Sequence, residues 1–195
     1  MRPVHKRNNR ADTPAITAFA ITSPMTSPVL AFYRGTGTDA AGRRIAQIWA
    51  WDHRRLEMVY DFIQWLFPLA DPSRFNPDAP LLTTADIAAF YADPALQEDA
   101  RRSLDLMLAF LGLRRGGATV TRGNEFPKLA AGWLEPANHN HLRLTRMLLF
   151  LSQIDLQAEA RGLLACLEDI AGHEGAGKIQ LRTLEFWRAA VPTAV

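Results

Sequence analysis
Leu56 to Pro68 reads LEMVYDFIQWLFP, and the reading of this stretch decides the fold. A helix advancing about 100° per residue over positions 56–67 sets Leu56, Val59, Tyr60, Ile63 and Phe67 on one face. Met58, Phe62, Trp65 and Leu66 cover most of the opposite side. Glu57, Asp61 and Gln64 remain as a polar stripe, and Pro68 ends the helix because it cannot continue the hydrogen-bond ladder. A helix so apolar around its circumference is expected at the centre of a domain. Its two carboxylates then need partners, because an unpaired buried charge is costly.

Working outward, the helical pattern persists and no run of strict apolar alternation competes with it. Prolines 72, 77 and 80 punctuate a loop, after which Thr83 or Thr84 is expected to cap a helix through Tyr91, with Asp86 placed to close a capping box from Thr83. Asp93-Pro94 predicts a restart, a cap residue followed by proline in the first turn. That helix is expected to run to Leu111, bury Leu96, Leu104, Met107, Leu108 and Leu111, and stop at Gly112. Residues 112–137 are less regular, with a short strand or turn at Ala118–Thr121. Helices are again expected over Asn138–Gln153, Leu156–Ala171 and Lys178–Ala190. The expected fold is all-α, an irregular bundle of about six to eight helices.

The 195 residues hold 22 basic and 20 acidic side chains, a near-balance that hides an asymmetry. Residues 1–55 carry nine basic and three acidic side chains, whereas residues 56–195 carry thirteen basic and seventeen acidic. A uniformly basic nucleic-acid binder is excluded, since most of the chain would repel phosphate. The basic excess falls on residues 1–28, read as a flexible arm preceding a single domain over residues 29–195, and on the first helical approach with Arg43, Arg44, Arg54 and Arg55. A hydrophobic content of 48% suffices for a core, and the single cysteine, Cys166, excludes a disulfide scaffold and reads as a buried thiol. No stretch reaches the roughly 18 to 20 apolar residues of a spanning helix.

Several apparent sites fail on chemistry. GHEGAGK at Gly172–Lys178 satisfies a phosphate-loop spacing, but Ile179 stands where the magnesium-binding hydroxyl belongs, so a helix-to-helix turn is expected. The glycines from Gly35 to Gly42 read as a surface loop. His139 and His141 are two apart and point in opposite directions on a helix, so no metal is expected there. No cofactor and no catalytic constellation is expected either.

One pairing does stand out. His139, Arg143 and Arg146 align along the helix that begins at Asn138, embedded between leucines, and the two arginines need an anion. Three readings stay open. Glu57 and Asp61 pair with Arg143 and Arg146 across a helix interface. The arginines instead line a cleft and hold an anionic ligand. Glu57 or Asp61 does acid–base work in a small hydrolase-like enzyme. A further alternative is an anionic-surface or nucleic-acid contact made by the basic arm.

Three segments resemble the conserved region of the opioid growth factor receptor family: FYRG at Phe32–Gly35, DFIQWLFPL at Asp61–Leu69 and HNHLRLTRMLLFL at His139–Leu151. LTTADIAAF at Leu82–Phe90 and LDLMLAFLGL at Leu104–Leu113 fit the same pattern, so the resemblance covers roughly residues 30–170. It implies a non-enzymatic, receptor-like binding domain for a short peptide or small anionic ligand. The family is associated with membranes around the nucleus, which implies peripheral membrane association; the expected location here is cytoplasmic. Arginine outnumbers lysine 19 to 3, which points to a GC-rich coding sequence and a bacterial member. The candidate ligand-binding residues are Tyr33, Arg34, Glu57, Asp61, Gln64, Trp65, His139, Asn140, Arg143 and Arg146, with Tyr33 and Trp65 offering aromatic surface.

Overall fold
In the computed structural model, which describes residues 26–73 and 76–192, the helices form where local stop and start signals fall. Thr83 accepts from the Asp86 amide and Asp86 accepts from the Thr83 amide, so the capping box opens helix α5 (Thr84–Ala92). Asp93 ends it and accepts from the Ala95 amide to begin α6 (Pro94–Phe110). Gly112, at φ 77, turns the chain out of α6; a methyl group there would stand 2.8 Å from the Phe126 Cα. All five apolar residues expected inward on α6 are buried.

The remaining elements are α1 (Pro28–Tyr33), α2 (Ile45–Trp49), α3 (His53–Met58), α4 (Ile63–Leu66), α7 (Phe126–Leu129), α8 (His139–Gln153), α9 (Gln157–Gly172) and α10 (Leu181–Ala189). Strands β1 (Leu113–Gly116) and β2 (Thr119–Arg122) pair antiparallel from Leu113–Arg122 to Gly116–Thr119. The fold is predominantly helical, with this hairpin as the one sheet among the described residues. Ten helices are described, three of them only four or five residues long, which is where the number exceeds the six to eight expected.

Helix α8 packs against α9 and α10, α6 packs against α5 and β1, and α9 lies on β2. A ring cluster of Tyr33, Phe67, Phe90 and Phe150 joins α1, α5 and α8 to the end of α4 in edge-on contacts. GHEGAGK is the turn between α9 and α10, and Gly35 to Gly42 is a loop, as expected. Cys166 is buried, which pushes its thiol up to about 11. No helix among the described residues is long and apolar enough to cross a membrane. Most of the basic arm lies outside the described residues, although Ser27 and Pro28 are described and open α1.

The expectation of one helix over residues 56–67 is overturned. Helix α3 ends at Met58, Val59 turns extended (φ −101°, ψ 134°), and α4 resumes only at Ile63. The burial pattern explains the break. Leu56, Phe62, Ile63, Trp65, Leu66 and Phe67 are all buried, although no single straight helix face contains them. Met58 and Tyr60 remain more than 60% exposed. A chain that turns can bury residues from both sides of the helical wheel, whereas a straight helix on a core cannot.

Candidate functional site
Breaking a helix frees carbonyl groups that must find donors elsewhere. Around residues 59–67 those donors are side chains from distant elements, joined by the local Gln64. Arg143 of α8 donates through Nη2 to the Val59 carbonyl at 3.0 Å, and Arg146 donates through Nη1 to the Phe67 carbonyl at 3.1 Å. The Tyr33 hydroxyl donates to the Leu66 carbonyl. With its amide nitrogen turned inward, Gln64 donates to the carbonyls of Asp61 (2.8 Å) and Tyr60 (3.3 Å). Of the pairing expected between Glu57 and Asp61 and the two arginines, only Glu57 with Arg143 forms, at 3.9 Å. The main hydrogen-bond acceptors of the arginines are neutral backbone carbonyls, and the polar stripe of Glu57, Asp61 and Gln64 is not a stripe.

Arg143 and Arg146 lie one turn apart on α8 and have different surroundings. Arg143 is 5% exposed, and the Phe62, Tyr60 and Phe110 rings lie 5.4 to 5.8 Å from its guanidinium carbon. It also donates to Asn140 Oδ1 at 3.1 Å, and Glu57 Oε2 lies 3.9 Å away. Burial lowers its pKa, opposed by the Glu57 charge. Arg146 is half-buried, and burial alone lowers its pKa. No carboxylate pairs with it among the described residues. Because arginine stays charged, Arg146 is a half-buried cation whose one partner among the described residues is a neutral carbonyl.

Arg146 opens into a groove of about 410 Å³ between α8 and residues 60–73. Its walls are largely apolar, from Ile63, Leu69, Pro72, Leu142 and Leu149, with Tyr60 and His139 at one end. Tyr60 and Leu142 are each about 60% exposed, so the rim presents apolar surface to solvent. Its volume falls within the roughly 300 to 1,000 Å³ typical of small-ligand sites.

The other candidate residues divide around this groove. Gln64, His139, Arg143 and Arg146 line it. Glu57 stands behind it, 3.3 Å from His139 Nε2, and Asn140 Nδ2 reaches Glu57 at 3.5 Å. Asp61 pairs instead with Arg43 at 2.8 Å. Glu57 thus faces His139 and Arg143, whereas Asp61 faces Arg43. Tyr33 is 1% exposed and Trp65 7%, so neither offers the aromatic surface expected of it. Arg34 is exposed and faces Asp93 at 3.6 Å. His139 and His141 do point apart: His141 turns inward, its Nε2 2.9 Å from the Trp133 carbonyl and its ring 5.7 Å from Trp187. No metal-binding group occurs among the described residues.

Sequence reasoning missed Tyr60, Leu142 and Leu149 as groove residues. Nothing in an apolar residue's identity separates a groove wall from a core. A signal did exist in Leu56–Phe67, since apolar residues all round a segment mark either a buried helix or a chain that turns.

Comparison with known proteins follows the same residues. The family model described as the opioid growth factor receptor conserved region matches residues 29–194. The chain is 37% identical over 116 residues to the opioid growth factor receptor of Homo sapiens, covering 58% of this chain and 17% of that protein. It is 35% identical over 116 residues to the Rattus norvegicus receptor, and 33% identical over 116 residues to opioid growth factor receptor-like protein 1 of Mus musculus. The matched region spans 20% and 24% of those two proteins, so it is a small part of each. No solved structure matches.

Proposed function
The chain belongs to the opioid growth factor receptor family through its conserved region, and from that premise we propose a receptor-like binding domain whose ligand enters the Arg146 groove. The ligand is a short peptide that presents a free carboxylate to Arg146 and apolar side chains to Ile63, Leu142 and Leu149. One observation carries this reading: Arg146 is half-buried with no carboxylate partner among the described residues, in a largely apolar groove open to solvent. An incoming carboxylate would form a charge-assisted hydrogen bond in a low-dielectric setting, where such bonds are strongest. The relatives are named as receptors, which agrees with binding rather than catalysis. A cytoplasmic site of action with peripheral membrane contact accompanies this reading.

The acid–base alternative needs Glu57 and Asp61 to work as a pair, and their separate engagement with His139 and Arg43 gives it no support. The nucleic-acid alternative rests on an arm that is mostly outside the described residues.

Calorimetric titration with pentapeptides carrying free or amidated C-termini tests the proposal. Free acids should bind, and Arg146→Gln should weaken them about tenfold or more, as expected when one charged hydrogen bond is removed. Absence of heat and thermal shift across the panel would overturn the reading, as would equal binding of acids and amides.

A further inference from the structure
Most cations among the described residues are already occupied. Arg34, Arg43, Arg101, Arg115, Arg122 and Arg188 face carboxylates. Arg55, Arg102 and Arg182 lie over aromatic rings. Arg54, Arg114 and Lys128 have neither kind of partner among the described residues, and all three line one connected pair of depressions on the far side of Glu57 and Asn140 from the Arg146 groove. Arg161 and Lys178, similarly unpaired, line neither depression.

The two depressions, of about 330 and 610 Å³, share His53 and Leu129 as walls. Their cations come from three separate elements: Arg54 from α3, Arg114 from β1 and Lys128 from α7. The floor is aromatic. The exposed His53 ring packs on Phe110 with centroids 4.8 Å apart, and Trp133 lines the same depression, its indole N–H donating to the Leu111 carbonyl. Gly112, Gly123 and Gly132 leave backbone rather than side chain along the edges. Two carboxylates also line the depressions. Glu57 already faces His139 and Arg143, which leaves Glu125 at the Arg114 end against three cations.

We propose that this cleft is a second binding site, taking a small molecule that carries a phosphate-type dianion on an aromatic body. Three cations from three elements suit a group of charge near −2. A peptide carboxylate, with a single charge, would leave most of that field unanswered. An aromatic body can stack on His53, as flat rings do on one another, and this combination separates the ligand from inorganic phosphate. The site does not depend on the Arg146 groove.

Phenyl phosphate and inorganic phosphate, each titrated into the full chain and followed by amide and indole NMR signals, test the inference. Phenyl phosphate should shift the Trp133 indole and the residues around His53, and bind about tenfold or more tighter than inorganic phosphate. The combined substitution Arg54→Gln, Arg114→Gln and Lys128→Gln should abolish those shifts while leaving the melting temperature unchanged, since all three side chains are exposed. Arg161→Gln with Lys178→Gln, and separately Arg146→Gln, should leave them intact. Absence of shifts at the Trp133 indole, equal affinity for the two anions, or unchanged binding in the triple variant would each overturn it.

Discussion

Residues 83–110 and residues 56–67 invite the same helical reading and fold by opposite means. In the first region the helices begin and end on their own residues: Thr83 with Asp86, then Asp93 with Pro94, then Gly112. In the second, the chain breaks between two short helices, and its freed carbonyls are held by Tyr33, Arg143 and Arg146. Local caps make an element that its own sequence specifies. Distant caps make one that exists only when the rest of the fold is present, and the candidate groove lies against that one.

The sharpest way to break the contrast is Arg143→Met. The substitution leaves the Val59 carbonyl and Asn140 Oδ1 without their donor in a buried setting, and about 3 to 5 kcal/mol of stability should be lost. Urea denaturation measures the loss. Hydrogen exchange should show residues 59–67 opening before α5 and α6.

A smaller pair of changes compares the two kinds of cap directly. Tyr33→Phe removes the hydroxyl that serves the buried Leu66 carbonyl and should cost about 1 to 3 kcal/mol. Thr83→Ala removes a local cap from α5 and should cost about 1 kcal/mol. Exchange protection should fall around Leu66 in the first variant and only at the start of α5 in the second. If both variants loosened the same residues, the distinction between the regions would fail.

The smallest expected effect is a pH dependence of α8, which supplies the distant donors. Burial holds the His141 pKa below its ordinary 6.5, and its Nδ1 is buried without a partner among the described residues. The unfolded chain therefore binds this proton more readily than the folded one. The stability contributed by neutral His141 is complete above about pH 6.5 and is lost as pH falls through the lower, folded value. Chemical denaturation between pH 7.5 and 5 should show a decline that His141→Gln flattens, with residues 59–67 loosening first.

The same contrast explains what could be read from the residues. The caps of α5 and α6, the inward face of α6 and the whole of α8 are written locally, and the sequence placed each of them correctly. Strand β2 was foreseen around Ala118–Thr121, but its partner LRRG at Leu113–Gly116 has no β-branched residue and gave no signal. The part of the candidate groove on α8 could be read because one helix orders His139, Arg143 and Arg146 on neighbouring turns. The opposite wall was not, because its path is fixed by side chains more than thirty residues away. Tyr33 and Trp65 misled for a related reason: an aromatic residue type does not reveal whether its ring faces solvent.

The long reach of these caps also has a consequence in time. The Val59 and Phe67 carbonyls accept from residues 84 and 79 positions further along the chain. At a synthesis rate of about 5 to 20 residues per second, that interval is on the order of ten seconds on the ribosome. Throughout it, the emerging segment has only the earlier Tyr33 and its own periodicity to follow, and that periodicity favours the unbroken helix. The native break must be imposed when α8 arrives, which puts the wall of the groove among the last parts of the domain to take shape.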